Sequence, residues 1–399
     1  MLNNLLIYRK LLRDGMIKRV ERFLSDLEHQ NKSKLLLQTD FFNIASRLLE
    51  YGFNNNVKTA LWKNYLLDLI IEDENIFSLS CEKGKNEVDI AIEMLAKRDL
   101  SILRKFIYID WDVIATKLGI EPLPMLSISK KENLAVDDIL NTLANFYYKN
   151  GSGILGKYKA FRWENELIGI ENPDNIRLTD IIGYDAQKKS LIENTERFLE
   201  GKKANNVLLF GDRGTGKSSS VKALLNEYAH RGLRLIELNK NQLVDYNKII
   251  SFIRKRNKYF IIFMDDLSFE EHETEYKYLK ALIEGSIEKK PDNLLIYATS
   301  NRRHLVKETW NDRENSEEVR ISDSVQEKIS LADRFGIVLT YTSPSQEEYL
   351  KIVEGLAEKH KISVDRMKLR EKAIQWEMLH NGRSGRTARQ FIDYLIGTL

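Results

Sequence analysis

The chain has 399 residues, 43% of them apolar and 30% charged, a length that suggests two to three domains and a balance that excludes a disordered chain. With 62 Lys and Arg against 59 Asp and Glu the net charge is only +3, so contact with a nucleic acid would need a local basic patch. The single cysteine, Cys81, excludes an intramolecular disulfide and a multi-thiolate zinc site, and it fits a reducing compartment.

No run approaches the roughly 18 apolar residues of a membrane span. The apolar start, Met1 to Leu12, is broken by Arg9 and Lys10 and followed by Arg13, with no small-residue cleavage site. The expected location is therefore the cytoplasm. Residues 1–150 read as helix after helix. Phe41, Ile44, Ala45, Leu48 and Leu49 recur at helical spacing, as do Leu61, Tyr65, Leu66 and Leu69, and then Val136, Ile139, Leu140, Leu143 and Phe146. Trp62, Trp111 and Trp163 read as core residues rather than base-stacking platforms. Asn150-Gly151 is a helix stop, and the glycines from Gly151 to Gly156 open a linker, 151–174.

From residue 175 short, almost wholly apolar runs alternate with helical stretches. The runs are Asn206 to Phe210, Leu233 to Leu238, Phe260 to Met264, Leu294 to Thr299 and Ile337 to Tyr341. Strands buried on both faces of a parallel sheet read this way, and the segments between them are long enough for crossover helices. Residues 175–342 are expected to form an α/β core with a parallel five-stranded sheet flanked by helices. Residues 343–399 are helical again, a small lid.

Gly211-Asp212-Arg213-Gly214-Thr215-Gly216-Lys217-Ser218 matches G-x4-G-K-[ST], with the run Val207 to Phe210 before it and an amphipathic helix, Lys217 to His230, after it. That order is what the chemistry requires. Glycines let successive backbone N–H groups turn toward phosphate oxygens, and the helix N-terminus adds partial positive charge. Lys217 would reach the β- and γ-phosphates of ATP, and the Ser218 hydroxyl would bind Mg2+, with Ser219 next in the cradle. A second apolar run, Phe260 to Met264, ends in Asp265-Asp266. Paired carboxylates at a buried strand end call for a partner, and Mg2+ is the natural one. Asp265 would hold the metal through water, and Asp266 would orient or deprotonate the attacking water.

With these motifs on these strands, residues 170 to 399 resemble the AAA+ ATPases. The strings GDRGTGKSSSVKALL, DDLSFE, ATSNRRHL and GRSGRTARQF look closer still to the bacterial family catalogued as domain of unknown function 815. The resemblance implies an AAA+ P-loop NTPase core with an all-α N-terminal domain and a helical lid. It implies that Ile182 and Tyr184 pack on adenine, that Asn301 contacts the γ-phosphate or the lytic water, and that Asn239 restrains the catalytic carboxylate. In Ser330 to Gly336 it makes Arg334 the candidate arginine finger, acting on a neighbouring subunit, with Arg302 and Arg303 as rivals. In the lid it makes Arg386 the first choice for the residue that senses nucleotide, and Arg389 the second. Two departures stand out. The usual catalytic base is Glu, and here it is Asp266, one methylene shorter, with Glu270 or Glu271 as substitutes. The loop Asn239 to Asn247 lacks the aromatic–apolar–Gly pattern of protein-threading unfoldases, and Tyr246, its sole aromatic, reads as a helix-face residue.

The expected activity is Mg2+-dependent ATP hydrolysis by a head-to-tail ring or helical oligomer. It would remodel a protein or nucleoprotein target chosen by the N-terminal domain. The alternative is a nucleotide-switched, helicase-loader-like DNA-binding protein with slow turnover. Lys202-Lys203, Arg254-Lys255-Arg256 and Lys289-Lys290 are short basic clusters, each explained by a solvated helix face or by a surface that meets DNA or RNA. The six histidines have no metal-ligand spacing.

Overall fold

In a computed structural model the chain is described at residues 2–84, 87–127, 134–270, 273–284, 289–301, 305, 331–380 and 382–398. It divides into two compact units, Met1–Lys157 and Tyr158–Leu399. No described helix is long and apolar enough to cross a membrane.

The first unit is helical throughout its described residues: α1 (Gly15–His29), α2 (Lys34–Asn54), α3 (Leu61–Glu72), α4 (Ile76–Lys83), α5 (Ile90–Ile107), α6 (Trp111–Leu118), α7 (Val136–Asn150) and the short α8 (Ile154–Lys157). Local signals start and stop these helices. Asp14 caps α1 by accepting from Met16 N and Ile17 N, Asn75 and Ser78 form a capping box on α4, and Gly119 ends α6 in the left-handed conformation. The apolar spacing buries Phe41, Ile44, Ala45 and Leu48, whereas Leu49 falls on the outer side of α2 and is exposed. Trp62 and Trp111 are fully buried and meet edge to face with centroids 6.0 Å apart, and the Trp62 indole donates to Phe106 O at 2.6 Å.

The N-terminal stretch is tied down by a carboxylate rather than by apolar packing alone. Asp99, fully buried on α5, accepts through Oδ2 from the backbone N–H groups of Leu6 (2.8 Å), Ile7 (2.7 Å) and Tyr8 (3.2 Å). Three N–H groups, that of Tyr8 buried, thus share one acceptor.

The second unit is built on a seven-stranded sheet in the order β2-β1-β4-β5-β6-β3-β7. Its strands are β1 (Ala160–Trp163), β2 (Leu167–Gly169), β3 (Val207–Gly211), β4 (Leu233–Glu237), β5 (Tyr259–Met264), β6 (Leu294–Ser300) and β7 (Ile337–Tyr341). Only β1 and β2 pair antiparallel. The five expected strands are present, and two more extend the sheet beyond β4. These two lie in 151–174, which the glycines had suggested to be a linker. They are three and four residues long, too short for either periodicity to show. Burial on both faces holds for β6, every residue of which is buried, but β7 is the sheet edge and its exposure alternates. Trp163 is buried in β1.

Helices α9 (Asp185–Leu199), α10 (Lys217–Tyr228), α11 (Tyr246–Arg254) and α12 (Tyr276–Glu284) connect the strands. Beyond β7, α13 (Gln346–Lys359), α14 (Arg366–Leu379) and α15 (Gly385–Thr398) pack around their own core of Tyr349, Val353, Leu356, Phe391 and Ile392.

Asp99→Ala removes the shared acceptor of three N–H groups, that of Tyr8 buried, and should lower the stability of the first unit by about 2 kcal/mol, at an unchanged m-value. Urea unfolding followed by tryptophan fluorescence measures this. Asp99→Asn, which keeps an oxygen in place, should recover part of the loss, and an unchanged midpoint in Asp99→Ala would refute the role given to this carboxylate.

Candidate nucleotide site

The turn from β3 to α10 starts where only glycine fits. A Cβ on Gly211 would lie 2.0 Å from the carbonyl oxygen of Tyr341 on the neighbouring β7, and Gly211 has φ +138°. The loop then folds over the ammonium of Lys217. Lys217 is 7% exposed, and its Nζ donates to Gly211 O (2.8 Å), Asp212 O (2.6 Å) and Asn301 Oδ1 (3.2 Å). All three are neutral acceptors. Burial pulls the Lys217 pKa down, against the partial pull upward of Asp212, Asp266 and Asp265. A desolvated cation held by neutral oxygens is a receptor for an anion.

The strand tips beside the loop bring the carboxylates in. Asp265 Oδ1 accepts from Ser218 Oγ at 2.5 Å and from Thr299 Oγ1 at 2.6 Å. Asp266 turns into the left-handed region, φ +49°, and its N–H donates to the same Thr299 Oγ1 at 2.9 Å. Its carboxylate accepts from Asn301 Nδ2 at 2.5 Å. Thr299, 1% exposed at the tip of β6, thus fixes both acidic residues at once. The sequence signal for it was a threonine closing the apolar run Leu294 to Thr299.

These groups line one cleft of about 530 Å3 between the sheet and the C-terminal helices. Arg213, Gly214, Thr215, Gly216, Lys217, Ser218, Ser219, Asp265, Asp266 and Asn301 all face it. So do both lid candidates, Arg386 and Arg389. The C-terminal helices touch the loop directly, since the N–H of Arg386 donates to Gly214 O at 3.1 Å. Gly214 has φ +77°, and a Cβ there would lie 2.9 Å from Ser384 Oγ. Gly211 and Asp212 contribute their carbonyls to Lys217 but do not line the cleft. The Asp212 carboxylate instead accepts from Ser343 N at 2.7 Å, a bond that lowers its pKa.

Several expected positions differ. Ile182 and Tyr184 do not line the cleft, and the apolar wall comes from Ile176 and Ile181. Ile182 packs into the core of the C-terminal helices. Tyr184 stacks on Tyr341, with centroids 4.9 Å apart, and donates to Thr342 O at 2.8 Å. Asn239 is exposed, and its backbone N–H is held by Gln242 Oε1 at 2.8 Å; the amide on Asp266 is that of Asn301. Arg334 lies outside the cleft, in an ion pair with Glu284 at the end of α12. Glu270 is also outside the cleft. Tyr246 opens α11, with its ring 6.3 Å from that of Tyr278. Glu271, Arg302, Arg303 and Ser330 lie outside the described residues.

The donor set suits a hard divalent cation. A hydroxyl and a carboxylate converge at Ser218 and Asp265 beside a buried ammonium, the oxygen chemistry that Mg2+ prefers when phosphates complete its shell.

The chain is similar to several known proteins. The replication factor C large subunit of Staphylothermus marinus is 39% identical over 64 residues, which are 16% of this chain and 14% of that protein. Its counterpart from Methanococcus maripaludis is 40% identical over 62 residues, 16% of this chain and 12% of that protein. The match therefore spans less than a sixth of the length of these curated relatives. Among solved structures, the Thermotoga maritima RuvB Holliday junction branch migration motor aligns with 14% identity and a TM-score of 0.34, over 55% of this chain and 72% of that one. The family model described as "Protein of unknown function (DUF815)" matches residues 156–399, more than half of the chain. With its glycine loop at the tip of a parallel strand and its acidic pair on the next strand but one, the chain belongs to the DUF815 family.

Proposed function

We propose that the cleft binds and hydrolyses ATP, and that the resulting movement of the C-terminal helices against the core remodels a protein or nucleoprotein target. The observation that carries this reading is the buried Lys217 ammonium on three neutral oxygens, with Ser218, Asp265, Asp266 and Asn301 around it. In this reading Lys217 exchanges carbonyl oxygens for those of the β- and γ-phosphates. Ser218 and Asp265 hold Mg2+, which neutralises phosphate charge when bound. Asp266 accepts the proton of the attacking water, and Asn301, already on its carboxylate, sets its orientation. Ile176 and Ile181 meet the base, and Arg386 with Arg389 closes the cleft over the phosphates.

Arg334 lies away from its own cleft, which supports a role on a neighbouring subunit's γ-phosphate in a head-to-tail assembly. Glu284 holds its guanidinium until that neighbour arrives. Residues 1–157 form a separate compact unit, suited to selecting the target.

Lys217→Ala should weaken ATP binding at least about tenfold, or about 1.4 kcal/mol. Asp266→Asn should keep that binding and lower turnover about 100-fold or more. Equilibrium binding of a fluorescent ATP analogue, with phosphate release measured on the same samples, reads both. Undiminished turnover in either variant would refute the assignment. For Arg334→Ala, turnover per subunit should stop rising with protein concentration while binding stays intact. A concentration dependence equal to that of the wild type would remove the trans role.

A further inference from the structure

Parallel strands start on one edge of a sheet, so residues just before them are gathered there however far apart they lie in sequence. In this sheet β4, β5, β6 and β3 are consecutive neighbours, all parallel. The segments entering β5, β6 and β3 carry the three basic clusters: Arg254-Lys255-Arg256, Lys289-Lys290 and Lys202-Lys203. Adjacent strands are about 4.8 Å apart, so the clusters form one row along the edge. The glycine loop lies at the opposite end of the strands, about 17 Å away along β3 at roughly 3.3 Å per residue.

The centre of the row is built, not loose. An open hollow of about 550 Å3 is lined, among the described residues, by Arg254, Arg256, Lys289, Lys290, Pro291, Asp292 and Asn293. Four of these seven are cations and one, Asp292, is a carboxylate that pairs with Lys289 at 2.8 Å, leaving a net positive hollow. Asn293 Nδ2 lies 3.2, 3.0 and 2.9 Å from the carbonyls of Ile253, Arg256 and Lys258, which fixes the loop before β5 to the loop before β6. Arg254 adds a bond to Lys289 O at 2.9 Å, and the buried Arg256 guanidinium lies over the ring of Phe252. The Lys290 ammonium rests on a neutral amide oxygen, Asn206 Oδ1, at 2.8 Å. Burial alone brings its pKa down to about 8.

We propose that this strand-entry edge binds the phosphate backbone of a nucleic acid, with Lys255, Lys289 and Lys290 as the central contacts and Lys202 and Lys203 extending the row. The chemistry around it selects that partner. No large apolar side chain is exposed at 200–206, 229–232, 254–258 or 289–293. A protein interface needs an apolar centre and a membrane surface needs side chains to insert, whereas a phosphate backbone needs only spaced cations on a firm support. The inference goes beyond the ATPase reading and does not rest on it.

Fluorescence anisotropy of labelled single- and double-stranded DNA of mixed sequence, with the full chain in nucleotide-free buffer, tests it. Binding should weaken as NaCl rises from about 50 to 200 mM, with a log–log slope between about −2 and −4. The double variant Lys255→Glu/Lys289→Glu changes only exposed side chains. It should bind at least about tenfold more weakly with a shallower slope, while thermal unfolding and ATP binding in the cleft stay as in the wild type. No binding at low salt, or equal binding by the double variant, would overturn the proposal. So would polyglutamate displacing DNA at equal charge, which would make the edge a surface for acidic protein. Because nucleotide is absent throughout, failure here leaves the ATPase reading untouched, and failure of ATP turnover leaves this result untouched.

Discussion

The ammonium of Lys217 is the constraint on which the second unit is arranged. A lysine 7% exposed and held by neutral oxygens has surrendered hydration for partial charges, and a desolvated cation is stable only where the surrounding dipoles are fixed. The loop that supplies two of those dipoles is fixed in turn by its contact with β7, where Tyr341 O leaves no room for a side chain on Gly211 and accepts the N–H of Asp212 at 2.9 Å. The third dipole, Asn301, stands at the end of β6 and reaches Asp266 with its other half. A single amide therefore connects the cation to the carboxylate proposed as base. Any anion that draws Lys217 away acts on Asp266 through that amide.

The C-terminal helices are coupled to the same loop by backbone, not by charge. The Arg386 N–H on Gly214 O is a short-range bond that a change in loop conformation breaks or keeps, and the two arginines beside it give the cleft its positive wall. In the proposed function this bond would pass a change at the loop to a group of helices with its own core. Asp266, the proposed base and one methylene shorter than Glu, is held by local contacts. Asp266 sits at φ +49°, a conformation an L residue holds only under restraint, and Thr299 supplies that restraint.

Much of this was legible in residue order, because burial on both faces writes an uninterrupted apolar run, as in β5 and β6, and because the spacing of Gly211, Gly216 and Lys217 encodes a strand–loop–helix turn. What escaped was governed by short elements and by contacts between distant segments. β1 and β2 are too brief to show a period. The cleft wall is Ile181 rather than Ile182, a one-residue offset that depends on the turn before α9, where Tyr184 takes the left-handed conformation. Asn239 and Asn301 are both amides at the ends of strands that flank β5, and only the folded contact shows that Asn301 is the one that meets Asp266. The pairing of Arg334 with Glu284 is a tertiary contact, and the convergence of three basic clusters follows from the strand order; spacing along the chain carries neither.

In the proposed function Lys217, Ser218 and Asp265 together receive a metal-bound triphosphate. Calorimetric titration of the purified chain with ATP, in Mg2+ and in a chelator, for the wild type and Ser218→Ala, tests it most directly. The account predicts one site, bound at least about tenfold more tightly with Mg2+ (about 1.4 kcal/mol). In Ser218→Ala that gain should be lost while the affinity in chelator is unchanged. Affinity that is equal with and without Mg2+ in the wild type, or no saturable binding, would contradict it.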